Sequence, residues 1–116
     1  MITNPTDEIG ARMALITDNR SAVESLLNYE DLPAPTVISR PEAVYVSVAD
    51  ADDLLPWLNL LGGVVHRAPA WAGLELWSLT TFTPPGSSGV RVPVRVSVTV
   101  PTGEQLLHGI VSAVAA

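Results

Sequence analysis

The sequence predicts an α+β domain: an antiparallel or mixed sheet of about five strands with helices packed on one face, in the order α-β-β-α-β-β-β-α. Three stretches predict it. Valine occupies every even position from Val90 to Val100, while Arg91, Pro93, Arg95, Ser97 and Thr99 fill the odd ones. That period-2 pattern is a strand with one buried and one solvated face. Ile9, Met13, Ile16, Val23 and Leu27 recur at spacings of three and four, with Arg20 at the missing step, which is the stripe of a helix. Between Leu74 and the valines, Pro84-Pro85-Gly86-Ser87-Ser88-Gly89 is a hairpin loop.

Composition sets the outer bounds. A chain of 116 residues fits one domain, residues 1–116, and buries roughly 65% of its unfolded surface without a disulfide or metal. With 47% hydrophobic and 16% charged residues it is globular rather than disordered. There is no cysteine, which excludes disulfides, thiol catalysis and cysteine-bound zinc. No apolar run reaches the ~18 residues of a membrane span and no signal-peptide pattern opens the chain, so the expected location is the cytoplasm. The net charge is −6, and all six cations are arginine. An acidic chain is a poor nonspecific ligand for nucleic acid or an anionic membrane. The absence of lysine matches the codon bias of a GC-rich genome.

Taken in order, residues 1–6 are expected to be a short arm. A helix runs from Asp7 to about Tyr29, with Asp7 and Glu8 in the first turn where the helix dipole favours them. Ser21 and Glu24 stand at capping-box spacing and offer a competing break near Asp18-Asn19, but the unbroken stripe favours one helix. Arg20 in the seam reads as a snorkelling side chain or as a contact to a partner. Leu32-Pro33-Ala34-Pro35 ends the helix. Thr36–Ser39 and Ala43–Val48 form a hairpin about Arg40-Pro41-Glu42. Asp50-Ala51-Asp52-Asp53 opens a second helix that Gly62-Gly63 closes with a left-handed cap. Pro56 is tolerated there only in the first turn, which moves the cap to Asp52 or Asp53; otherwise it kinks the helix. Val64–Arg67 is a short strand, 68–73 a loop, and Leu74–Thr83 the hairpin partner of the valine strand. Pro93 cannot donate to a ladder, which places the valine strand at an edge or gives it a bulge. A third helix follows Pro101: Thr102 and Gln105 are spaced as a capping box, and Leu106, Leu107, Ile110, Val111 and Val114 share a face.

No catalytic or cofactor signature emerges, and no cofactor or metal is expected. Asp50, Asp52 and Asp53 are the densest carboxylates, but they lack the glycine and distal Glu of a calcium loop, and helix capping accounts for them. His66 and His108 are the only histidines, and neither stands in a catalytic motif. No serine sits in a G-x-S-x-G elbow, and Gly86-Ser87-Ser88-Gly89 lacks the lysine of a phosphate loop. The best binding surface is the outer face of the valine strand, with Arg91 and Arg95 there and Tyr45 and Trp77 added from neighbouring strands. The bland alternative pairs those arginines with carboxylates such as Glu75. Trp57 belongs to the core. Trp71, in a loop between Pro69 and Gly73, is the exposed tryptophan and another interface residue.

The acidic first helix ending in Leu32-Pro33-Ala34-Pro35, the WLNLLGG segment from Trp57 to Gly63, and the valine-arginine strand closing at Pro101 together resemble small uncharacterised proteins encoded by actinobacteria and their phages or mobile elements. The resemblance implies an accessory role in such a context and carries over no reaction and no site residue. The expected function is therefore non-enzymatic: an accessory or regulatory protein that binds another protein, with a homodimer through the first helix. Two alternatives are an acidic inhibitor that mimics nucleic acid and a small hydrolase-like enzyme using His66 or His108.

Overall fold

In the computed structural model, residues 5–69, 71–86 and 88–101 are described. The elements are α1 (Pro5–Tyr29), β1 (Thr36–Ser39), β2 (Val44–Ser47), a 3-10 turn (Ala51–Asp53), α2 (Leu54–Leu61), β3 (Val64–Pro69), β4 (Leu74–Phe82) and β5 (Pro93–Pro101). The expected third helix and most of the N-terminal arm lie outside the described residues. Pro5 and Thr6, expected in that arm, already belong to α1; proline suits the first helical turn because its fixed φ is already helical.

The strands form one mixed sheet in the order β1-β2-β5-β4-β3. β1 and β2 are an antiparallel hairpin, β3, β4 and β5 an antiparallel meander, and β2 pairs with β5 in parallel. Both helices cover the same face. On it, Val44, Val46, Val65, Leu79, Val94 and Val96 are buried to 1% exposure or less, against Val23 of α1 and Leu54 and Trp57 of α2. The valines at even positions of β5 are this core, as their alternation requires.

The valine strand differs from expectation in position. It is the central strand, not an edge. Pro93 is accommodated because it is the first residue of β5, opposite Phe82, one step before the parallel pairing with β2 begins at Val44↔Val94. A proline at a strand's first position interrupts no ladder bond. Just before it the ladder is completed by a side chain: Val92 N–H donates to Thr83 Oγ1 at 2.9 Å, while Thr83 N–H donates to Val92 O at 2.9 Å.

Two helix details follow the sequence and one departs from it. α2 starts with Asp53 as its cap, so Pro56 falls in the first turn, and Gly62 ends it with φ 71°. The loop expected over 68–73 is shorter than that, because β3 runs to Pro69. A tight turn closes it with Leu74 N–H donating to Trp71 O at 3.0 Å, Ala72 and Gly73 both at positive φ, as a twisted hairpin prefers. In α1 the buried arc is rotated from the expected stripe. Asn19 and Val23 are buried and Ile16, Ala22, Leu26 and Leu27 half-buried, whereas Ile9, Met13 and Arg20 are exposed. The helix meets the body at Ile16, whose carbonyl accepts from Ser39 Oγ at 2.7 Å, and at Asn19, which donates to Arg40 O and Pro41 O. Every residue from Thr6 to Leu15 is exposed, so that half of α1 stands clear of the sheet.

Candidate functional site

The outer face of the sheet is built by the residues that alternate with the core. The ladder registers align Ile38, Tyr45, Arg95, Thr80 and Val64 in one row across all five strands, and Thr36, Ser47, Ser97, Ser78 and His66 in the next. Ile38, Val64, Leu76 and Phe82 are each 39–47% exposed on this face, and no helix among the described residues packs on it. Ser78 and Ser97 share a hydrogen bond at 3.3 Å in the hydroxyl row.

The binding residues expected from the sequence separate into three groups. Tyr45 and Arg95 are direct neighbours across the β2–β5 pairing, with Arg95 exposed and Tyr45 half-buried. Arg91 lies just before β5; its Nε donates to Thr83 O at 3.2 Å and its guanidinium lies 5.3 Å from the Phe82 ring centre. Trp77 is the correction. It pairs with Val98, which places it on the valine face, and it is 2% exposed. There its Nε1 donates to Glu75 Oε2 at 3.2 Å and its ring carries Arg67 at 5.8 Å. Glu75 is thus turned to the inner side, opposite Val100, and does not neutralise Arg91 or Arg95. Trp71 is 76% exposed in the β3–β4 turn, away from the row.

The five strands carry one carboxylate between them, Glu75, and it belongs to the inner face. None of the strand residues on the outer face is Asp or Glu, although the chain carries twelve carboxylates. The Asp50, Asp52 and Asp53 carboxylates lie instead at the 3-10 turn that leads into α2, where Asp53 Oδ2 accepts from Asp50 N–H at 3.2 Å, the return bond of a capping box. Among the described residues, no group of three or more His, Asp or Glu is arranged to hold a metal ion, and no helix is long and apolar enough to cross a membrane. His66 is exposed on β3 opposite Ser78; His108 lies outside the described residues. No protein-family model, curated protein or solved structure matches the chain.

A second feature has no counterpart in the sequence reading: an open groove between α1 and the 83–92 loop, on the helix side of the sheet. Its walls come from residues more than fifty positions apart, so no local motif announces it.

Proposed function

We propose that this chain is a protein-binding module whose contact surface is the outer sheet face, and that its partner presents an apolar patch bearing carboxylates. The acid-free composition of that face on a chain of net charge −6 is the observation that carries the reading. Arg95 stands between Tyr45 and Thr80, with Phe82 one pleat along β4 and Ile38 and Val64 at the two ends of the row, so a partner covering that row would partly desolvate an arginine whose bidentate geometry suits a carboxylate. Like charge from Arg95 disfavours a second copy docking there face to face, so the partner is a different protein.

The test is site-specific photo-cross-linking in cells of the source organism, with a benzophenone residue at Ser47, exposed beside Tyr45. Capture of one partner that disappears in Arg95→Glu, with the melting temperature unchanged, supports the reading. The exposed substitution is expected to alter stability by under about 0.5 kcal/mol. Capture that is indifferent to Arg95→Glu, or equal from a control benzophenone at Glu24 on α1, rejects it.

The free half of α1 supports self-association through a separate surface. Ile9 and Met13 are 62% and 58% exposed on a helix that has left the core, and apolar residues spaced by four with Ile16 following by three are the seam of a paired helix. Light scattering over a concentration series is expected to show a species of twice the 12.3 kDa chain mass, reverting to the monomer in Met13→Glu. A monomer at every concentration removes the dimer.

A further inference from the structure

The groove between α1 and the 83–92 loop encloses about 660 Å³, inside the range of small-ligand sites. Its floor is apolar, made by Ala22, Leu26 and Val92, with Leu15 and Val90 at the rim. The charged groups on its walls are all acidic: Asp18 and Glu30 line it, and no arginine does.

Asn19 supplies the observation that points to a ligand. It lies on the groove wall and is only 8% exposed. Both hydrogens of its Nδ2 are committed inward, to Arg40 O at 2.9 Å and Pro41 O at 3.2 Å. Those two carbonyls settle the orientation of the amide, since Oδ1 facing them would put acceptor against acceptor. Oδ1 is left as an acceptor with no protein donor in the described structure. No described side-chain polar atom is both fully buried and unpartnered, so Oδ1 keeps an opening, and the groove is the cavity that Asn19 borders. Asp18 adds its carboxylate at the adjacent position. An uncommitted amide oxygen and two carboxylates on the walls of an apolar trough, with no cation among its lining residues, ask for a donor that is positively charged and attached to an apolar body.

We propose that this groove is a binding site for an organic ammonium ion with an apolar body. Its N–H groups donate to Asn19 Oδ1 and the Asp18 carboxylate, and its hydrocarbon lies over Ala22, Leu26 and Val92. The Tyr29 ring, 88% exposed at the rim, offers a face for the cation, as aromatic rings do for ammonium groups. The site lies on the helix side of the sheet and does not depend on the outer-face reading.

The experiment is an amide-resolved NMR titration of the full chain with octylammonium, octanoate and 1-octanol. Octylammonium is expected to give saturable shifts at Asn19, Ala22, Leu26 and Val92, octanoate none, and octanol weaker ones. Asp18→Asn, an exposed change that leaves the fold intact, is expected to weaken octylammonium binding about tenfold, the scale of one hydrogen bond to a charged group. Failure of octylammonium to saturate those signals overturns the site. Equal binding of octanol or octanoate, or an unaltered affinity in Asp18→Asn, overturns the assignment to a cation.

Discussion

Replacing Trp57 by alanine is expected to cost about 3–5 kcal/mol, the range for removing a buried aromatic side chain. Trp57 is fully buried, and its Nε1 donates to Pro33 O at 2.9 Å. The side chain therefore both fills the space between α2 and the sheet and ties α2 to the segment that follows α1. With 1 kcal/mol shifting the melting temperature of a chain this size by about 4–6 °C, the midpoint should fall by on the order of 15–25 °C. Trp57→Phe separates the two contributions. It keeps an aromatic ring but leaves the Pro33 carbonyl without its donor, a loss of about 1–2 kcal/mol. Urea unfolding of the three proteins measures both. A Trp57→Ala loss under 1 kcal/mol would show that the core does not rest on this side chain.

Gly63→Ala is expected to be nearly as severe, for a different reason. Gly63 follows the end of α2 at φ 111°, a backbone region that side chains rarely adopt. A Cβ there would collide with the Thr80 carbonyl oxygen and stand 2.9 Å from Thr81 Cβ, both on β4. The first is rigid ladder backbone and cannot move aside. Strain and overlap together place the cost at about 3 kcal/mol or more. Gly62→Ala is the matched control, since it also has positive φ but open space around its Cβ, and a cost of about 1–2 kcal/mol is expected from conformation alone. Thermal unfolding of the pair checks the order; equal losses would mean that the approach to β4 is not tight.

Much of this fold is legible in periodicity. The valines at even positions of β5 are buried as their alternation implies, α2 accepts Pro56 because the cap moves to Asp53, and the first hairpin lies where its valines and turn residues put it. Neighbour relations beyond the two predicted hairpins, β1–β2 and β4–β5, were not legible. A period-2 pattern states which residues share a face but not which strand lies alongside, so nothing local marks β5 as central or pairs it in parallel with β2. Trp77 illustrates the same gap. Its face depends on register against β5, and pairing with Val98 turns it inward. In α1, apolar spacing identified the helix and, at Ile16, Val23 and Leu27, part of the arc it buries, but not the turn of that arc toward Asn19, because Asn19 and Ser39 fix its rotation through polar bonds that a hydrophobic stripe does not encode. The groove escaped for the simplest reason: Asp18, Asn19 and Val92 meet only after the sheet has formed.

The middle position of β5 has a consequence for how the molecule is made. Before residue 93 leaves the ribosome, the emerged chain holds two hairpins, β1–β2 and β3–β4, with no ladder bond between them, because the strand that each pairs with is β5. Isolated two-stranded hairpins are marginal in water, so the sheet closes only when its last described strand arrives between them. Nearly the whole chain must then be available at once, with two unpaired strand edges waiting in the interval. Such edges are the surfaces on which unfinished chains aggregate, and synthesis that stalls ahead of the valines would leave both exposed.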